Sequence, residues 1–111
     1  MTDKRGSRRV AFRTIVHYGQ NKPLGYVSFS TDLSSGGVGI KTNAIFMSGT
    51  KLHLSVVTAD KKYEAEGVVA WAKKSPQHLV PVVKNGIGVR FTHADPGLIG
   101  LYEEKVKHAH V

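Results

Sequence analysis

The sequence predicts an all-β fold, an antiparallel barrel or sandwich of six short strands, with a short C-terminal α-helix. Three observations predict it. Apolar side chains recur at period two in short runs between residues 10 and 92. Turn-forming Gly, Asn, Asp and Ser residues separate those runs, and helical periodicity is almost absent before residue 95. Strands of this kind bury their apolar faces by closing on themselves or by packing as two sheets.

The elements follow in order. Residues 1–9, MTDKRGSRR, have no apolar side chain after Met1 and are expected to form a flexible basic arm. VAFRTIVHY then sets Val10, Phe12, Val16 and Tyr18 on one face of a first strand. The turn-rich GQNKPLG leads into YVSFSTDL, where Val27, Phe29, Thr31 and Leu33 alternate with Tyr26, Ser28 and Ser30, so the two runs read as a hairpin. SSGG ends that strand and VGIKT begins a third. TKLHLSVVT and YEAEGVVAWAKK, separated by ADKK, form a second hairpin. A loop, SPQHLVPVVKN, precedes the sixth strand, GIGVRFT. The barrel is therefore expected over 10–94.

The tail, 95–109, reads as helix. Asp95 suits the N-cap and Pro96 the first helical position. Leu98, Ile99, Tyr102 and Val106 fall on one side. Gly97 and Gly100 each weaken the helix by roughly 1 kcal/mol relative to alanine, so it needs the barrel to pack against.

At 111 residues the chain fits a single domain, with 41% apolar and 22% charged residues in the globular range. No apolar run is long enough for a membrane span, and no apolar stretch follows the basic N-terminus as a secretory signal requires. A cytoplasmic location without membrane insertion is expected. The formal charge of +8 attracts polyanions. Absence of cysteine excludes disulfides, thiolate metal sites and cysteine nucleophiles.

Two constellations bear chemistry. In KRGSRRVAFR, Arg5, Arg9 and Arg13 are spaced four apart, so RxxxR can be read in two registers. Arginine's planar fork matches phosphate oxygens and the O6/N7 edge of guanine. In DLSSGG, Asp32 and Ser34 lie two apart at a strand end. A carboxylate there accepts both donors of guanine's N1–H and N2–H₂ edge. Gly36 and Gly37 permit positive φ and close approach to the backbone. Taken separately, each motif has a plain alternative: a solvated basic arm, and a turn capped by Asp and Ser.

Together the motifs resemble the PilZ domain family, whose signature is RxxxR followed some twenty residues later by [D/N]xSxxG. RVAF, GVVAWAKK and GIGVRF are similar to that family's first, tryptophan-bearing and closing strands, so the resemblance spans roughly residues 4–104. It implies a six-stranded antiparallel β-barrel with a terminal helix that binds cyclic di-GMP. It also implies the register: the second signature arginine directly precedes the first strand, which assigns Arg5 and Arg9 and leaves Arg13 as a solvated strand residue. By the same resemblance Arg5 and Arg9 clamp phosphate and guanine, Asp32 and Ser34 bond the base, and Gly37 supplies the turn. Trp71 offers a ring to the ligand or sits half in the core. Arg8 reaches a phosphate, and Lys4 influences whether one ligand or a stacked pair binds.

The implied function is a non-enzymatic receptor and adaptor. Its ligand draws the arginine arm onto the barrel and changes the surface shown to an unidentified downstream protein. Two alternatives stand beside it: a nucleic-acid-binding small barrel, disfavoured because Asp32 repels phosphate beside the basic arm, and a PilZ-like adaptor that binds only protein. No cofactor or metal is expected. The histidines at 17, 53, 78, 93, 108 and 110 are scattered, and Glu64 and Glu66 lack an accompanying base or nucleophile.

Overall fold

The computed structural model describes residues 8–44, 46–73 and 85–109. Among the described residues, seven strands precede one helix: β1 (Val10–Ala11), β2 (Ile15–Gly19), β3 (Tyr26–Ser34), β4 (Gly37–Lys41), β5 (Lys51–Val57), β6 (Lys62–Lys73), β7 (Gly86–Ala94) and α1 (Pro96–Ala109). They pair antiparallel in the order β1-β3-β2-β5-β6-β7-β4, and a β3–β4 pairing closes the ring. This is a six-stranded barrel with one extra strand, since β1 and β2 both lie along β3: Val10 faces Leu33, and Ile15 faces Phe29.

The first expected strand is thus broken in two at Phe12–Thr14, and Ser30 explains how. Its hydroxyl, inside the barrel, donates to the Phe12 carbonyl (2.6 Å) and accepts from the Thr14 amide (3.0 Å). One side chain therefore satisfies two backbone groups that leave the ladder at the break. Beside it, the β3–β4 register shifts between Ser30 and Asp32. Such a bulge adds a residue and turns the strand over. Val27 and Phe29, which period two sets on the face of Leu33, consequently point outward at 60% and 39% exposure, while Ser30 and Leu33 are buried.

The core is otherwise the inward face that the alternation predicts. Val10, Phe12, Val16 and Tyr18 are all buried, with Leu52, Leu54 and Val56 from β5 and Ile87 and Val89 from β7. Burying each such aliphatic side chain contributes about 1.5–3 kcal/mol. At one end Tyr18 donates to Thr42 Oγ1 (2.6 Å) and stacks on Tyr26 at 5.5 Å between centroids. Burial pushes the Tyr18 phenol up from its ordinary range, outweighing the downward pull of the Thr42 hydrogen bond.

The helix begins as expected. Asp95 Oδ1 accepts the Gly97 amide at 2.8 Å, and Leu98 and Tyr102 are buried against the barrel. Tyr102 Oη donates to the Arg8 carbonyl at 2.6 Å, so α1 fixes the chain where it enters β1. No helix among the described residues is long and apolar enough to cross a membrane.

Candidate functional site

The corner between β3 and β4 is built from Ser34 and two glycines. Ser34 Oγ accepts the Gly36 amide at 3.3 Å and donates to the Gly37 carbonyl at 3.4 Å. Among the described residues only Gly49 has a positive φ, so the expected left-handed glycines at 36 and 37 are not what the corner uses. Gly37 is required instead by close packing. A Cβ there would overlap the Val89 carbonyl oxygen, because β4 lies hard against β7.

Around this corner lies a cleft of about 260 Å³ that brings Arg9, Ser34, Gly37, Trp71, Gly88 and Arg90 together. Four of these are among the expected site residues. Arg9 arrives from the root of the arm and Trp71 from β6. Asp32, one position from the β3 bulge, accepts from Arg9 Nη1 at 2.9 Å. Both side chains keep contact with solvent, at 42% and 32% exposure, so the pair is reachable from outside. Gly39 opposite leaves space for the carboxylate: a Cβ there would stand 2.6 Å from Asp32 Oδ1. Arg8 is exposed next to Arg9, its carbonyl held by Tyr102. Lys4 and Arg5 lie outside the described residues, as does the expected loop over 75–85 apart from Asn85.

Trp71 is not a core residue. The residue is 45% exposed, and its indole lies against Gly88, where a Cβ would overlap Nε1 and Cε2. The ring therefore rests on backbone while part of its surface stays exposed for stacking. Arg13 is exposed on the face opposite Val10 and Phe12, as expected, but not within a strand. It falls in the break between β1 and β2, and its guanidinium stacks over Phe29, 4.0 Å from the ring centroid. It is attached to the barrel's outer face and is not among the residues lining the cleft.

Sequence reasoning missed Arg90 and Gly88. GIGVRF signals a strand, but only the pairing of Gly37 with Arg90 and of Trp71 with Gly88 sets them at the corner. With Arg9, Arg90 gives the cleft two guanidinium groups, and its chemistry is that of an anion site with an aromatic wall. A larger cleft of about 340 Å³ is lined by His53, Glu64, Glu66, His93 and Asp95. Its three carboxylates disfavour phosphate, and among the described residues no three His, Asp or Glu side chains are placed to hold a metal ion. Chemistry, rather than size, selects the smaller cleft.

A closed small barrel with an arginine-bearing entrance and an Asp-Ser-Gly corner defines a ligand-binding module. The chain belongs to the PilZ domain family, whose model matches residues 3–107. PilZ domains are non-catalytic binding domains and typically receptors for cyclic di-GMP. Among solved structures the fold is shared by the Bacillus subtilis inhibitor of motility, MotI/DgrA, with a TM-score of 0.75 at 17% sequence identity. That match covers 93% of this chain and 50% of the other, so the chain spans half the length of that relative. No curated protein sequence matches the chain.

Proposed function

We propose that this domain is a cyclic di-GMP receptor that binds at the β3–β4 corner. The observation that supports it is the meeting of Arg9, Ser34, Trp71 and Arg90 in one cleft, with Asp32 held to Arg9 at 2.9 Å. Arg9 and Asp32 are complementary to different parts of the same nucleotide. A guanine satisfies the carboxylate with its N1–H and N2–H₂ edge, while its O6/N7 edge or a phosphate satisfies the guanidinium. Binding then exchanges one ion pair for two sets of ligand contacts, so neither charge is left unmatched.

Arg5 and Arg8 extend the positive field towards the second phosphate, and Trp71 receives a guanine on its exposed surface. Neutralising the arm's repelling arginines favours its folding onto the barrel, which alters the surface available to a downstream protein. Lysine at position 4 retains charge without the fork or stacking surface of arginine, and a stacked ligand pair is the expected stoichiometry.

Calorimetric titration with cyclic di-GMP, GTP and a short oligonucleotide at two salt concentrations tests this. Saturable binding of cyclic di-GMP with little response to GTP is expected. Absence of heat at micromolar protein overturns the proposal, and oligonucleotide binding with a steep salt slope transfers the function to nucleic acid.

A further inference from the structure

Across the outer face of β6, β5, β2 and β3 the registers set Lys62, Val57, Ile15 and Phe29 in one transverse row. Strands lie about 4.8 Å apart, so the three apolar side chains form a continuous strip roughly 10 Å across. Ile15 is 41% and Phe29 39% exposed, and Val57 is half-buried. Lys62 stands at one end of the strip, and Arg13 caps the other by stacking over Phe29. In the next row Val27, 60% exposed, pairs with His17 and widens the apolar area. Glu64, at the far end of that second row, is the one carboxylate among the described residues of the two rows.

This face is the product of the β3 bulge, which turns Val27 and Phe29 out of the core. Solvated strand residues do not need to be Ile, Val and Phe, and a clustered apolar strip between two cations is the form of a contact surface. The charge chooses the occupant. A second copy would set Arg13 and Lys62 against like charges on a chain of formal charge +8. A segment with two or three apolar side chains flanked by Asp or Glu matches both the strip and its ends.

We propose that the outer face of β2, β3 and β5, centred on Ile15, Val27 and Phe29, is the docking surface for an acidic, apolar-studded segment of a protein partner. Only the statement that this partner takes the messenger signal onward rests on the receptor reading. Phe29 lies three positions from Asp32 on the same strand, and Arg13 four positions from Arg9. The proposed docking surface and the corner of the cleft therefore share β3.

The test is selection of a displayed random-peptide library on the full chain, with and without cyclic di-GMP, followed by titration of the enriched peptides. Enriched sequences are expected to carry two or three apolar residues flanked by Asp or Glu. They should bind at least tenfold more weakly to Val27→Asp and to Arg13→Glu, neither of which removes a core side chain. Peptides without acidic bias, peptides indifferent to Val27→Asp, or no enrichment at all overturn the proposal. So does sedimentation with phosphatidylglycerol vesicles, or a concentration-dependent dimer, if Val27→Asp abolishes it. Cyclic di-GMP titration of Val27→Asp is read separately and is expected to match the wild type, so loss of docking is distinguishable from loss of the receptor site.

Discussion

Arg9 donates to Asp32 across 2.9 Å, joining the root of the arm to the strand that forms the corner of the site. The two residues are 23 positions apart and belong to the two halves of the signature. Partly exposed, the pair contributes no more than about 1 kcal/mol to stability. Its importance is that it holds two ligand-seeking groups together at one edge of the cleft.

That disproportion is the first prediction. Arg9→Ala should abolish measurable cyclic di-GMP binding in calorimetry while lowering Tm by less than about 8 °C, the shift that 1 kcal/mol produces in a small domain. Asp32→Asn retains shape and one acceptor but loses the charge, and a loss of about 10–100-fold is expected for a weakened charged hydrogen bond. A large drop in Tm with binding retained would make the pair structural.

Trp71 and Gly88 give the second prediction. Gly88→Ala puts a methyl group where the indole lies, so the ring must lift from the barrel. Trp71 is the chain's one tryptophan, and intrinsic fluorescence reports its position directly. The emission should shift to the red and iodide quenching should increase. Affinity should fall about tenfold, the scale of one stacked base. Because Gly88 acts through Trp71, the double variant Gly88→Ala/Trp71→Ala should be no weaker than Trp71→Ala alone.

The third prediction separates the two RxxxR readings. Arg13 stacks on Phe29, an exposed cation–π contact worth about 0.5–1 kcal/mol. Arg13→Ala should therefore lower Tm slightly and leave cyclic di-GMP affinity within twofold of wild type. Loss of binding comparable to Arg9→Ala would assign the signature to Arg9 and Arg13.

These residues also show where the sequence was legible. Val10, Phe12, Val16 and Tyr18 announce a buried face because period two survives the break between β1 and β2, and Asp95-Pro96 announces the helix through local capping chemistry. Signature residues such as Arg9 and Ser34 were legible as a linear pattern. Arg90, Gly88 and Gly39 were not, because their places depend on cross-strand register, which has no local code. The outward placing of Val27 and Phe29 has no local code for a related reason. A single bulged residue near Thr31 inverts the strand's phase, and nothing in YVSFSTDL marks it.

Ser30 carries the last prediction, because it holds that inversion in place. Its side chain is buried and bonded on both sides, to the Phe12 carbonyl and the Thr14 amide. Ser30→Ala removes one hydroxyl and leaves two backbone groups unsatisfied in the interior, at a cost of about 1–3 kcal/mol. Ser30→Val adds bulk where the strands are stitched together and should be at least as damaging. Denaturant unfolding should show a lower midpoint with an unchanged slope, and amide exchange at Thr14 should accelerate ahead of exchange at Val56 in β5. If Ser30→Ala unfolds at the wild-type midpoint, the break between β1 and β2 does not depend on this side chain, and the outward turn of Val27 and Phe29 needs another cause.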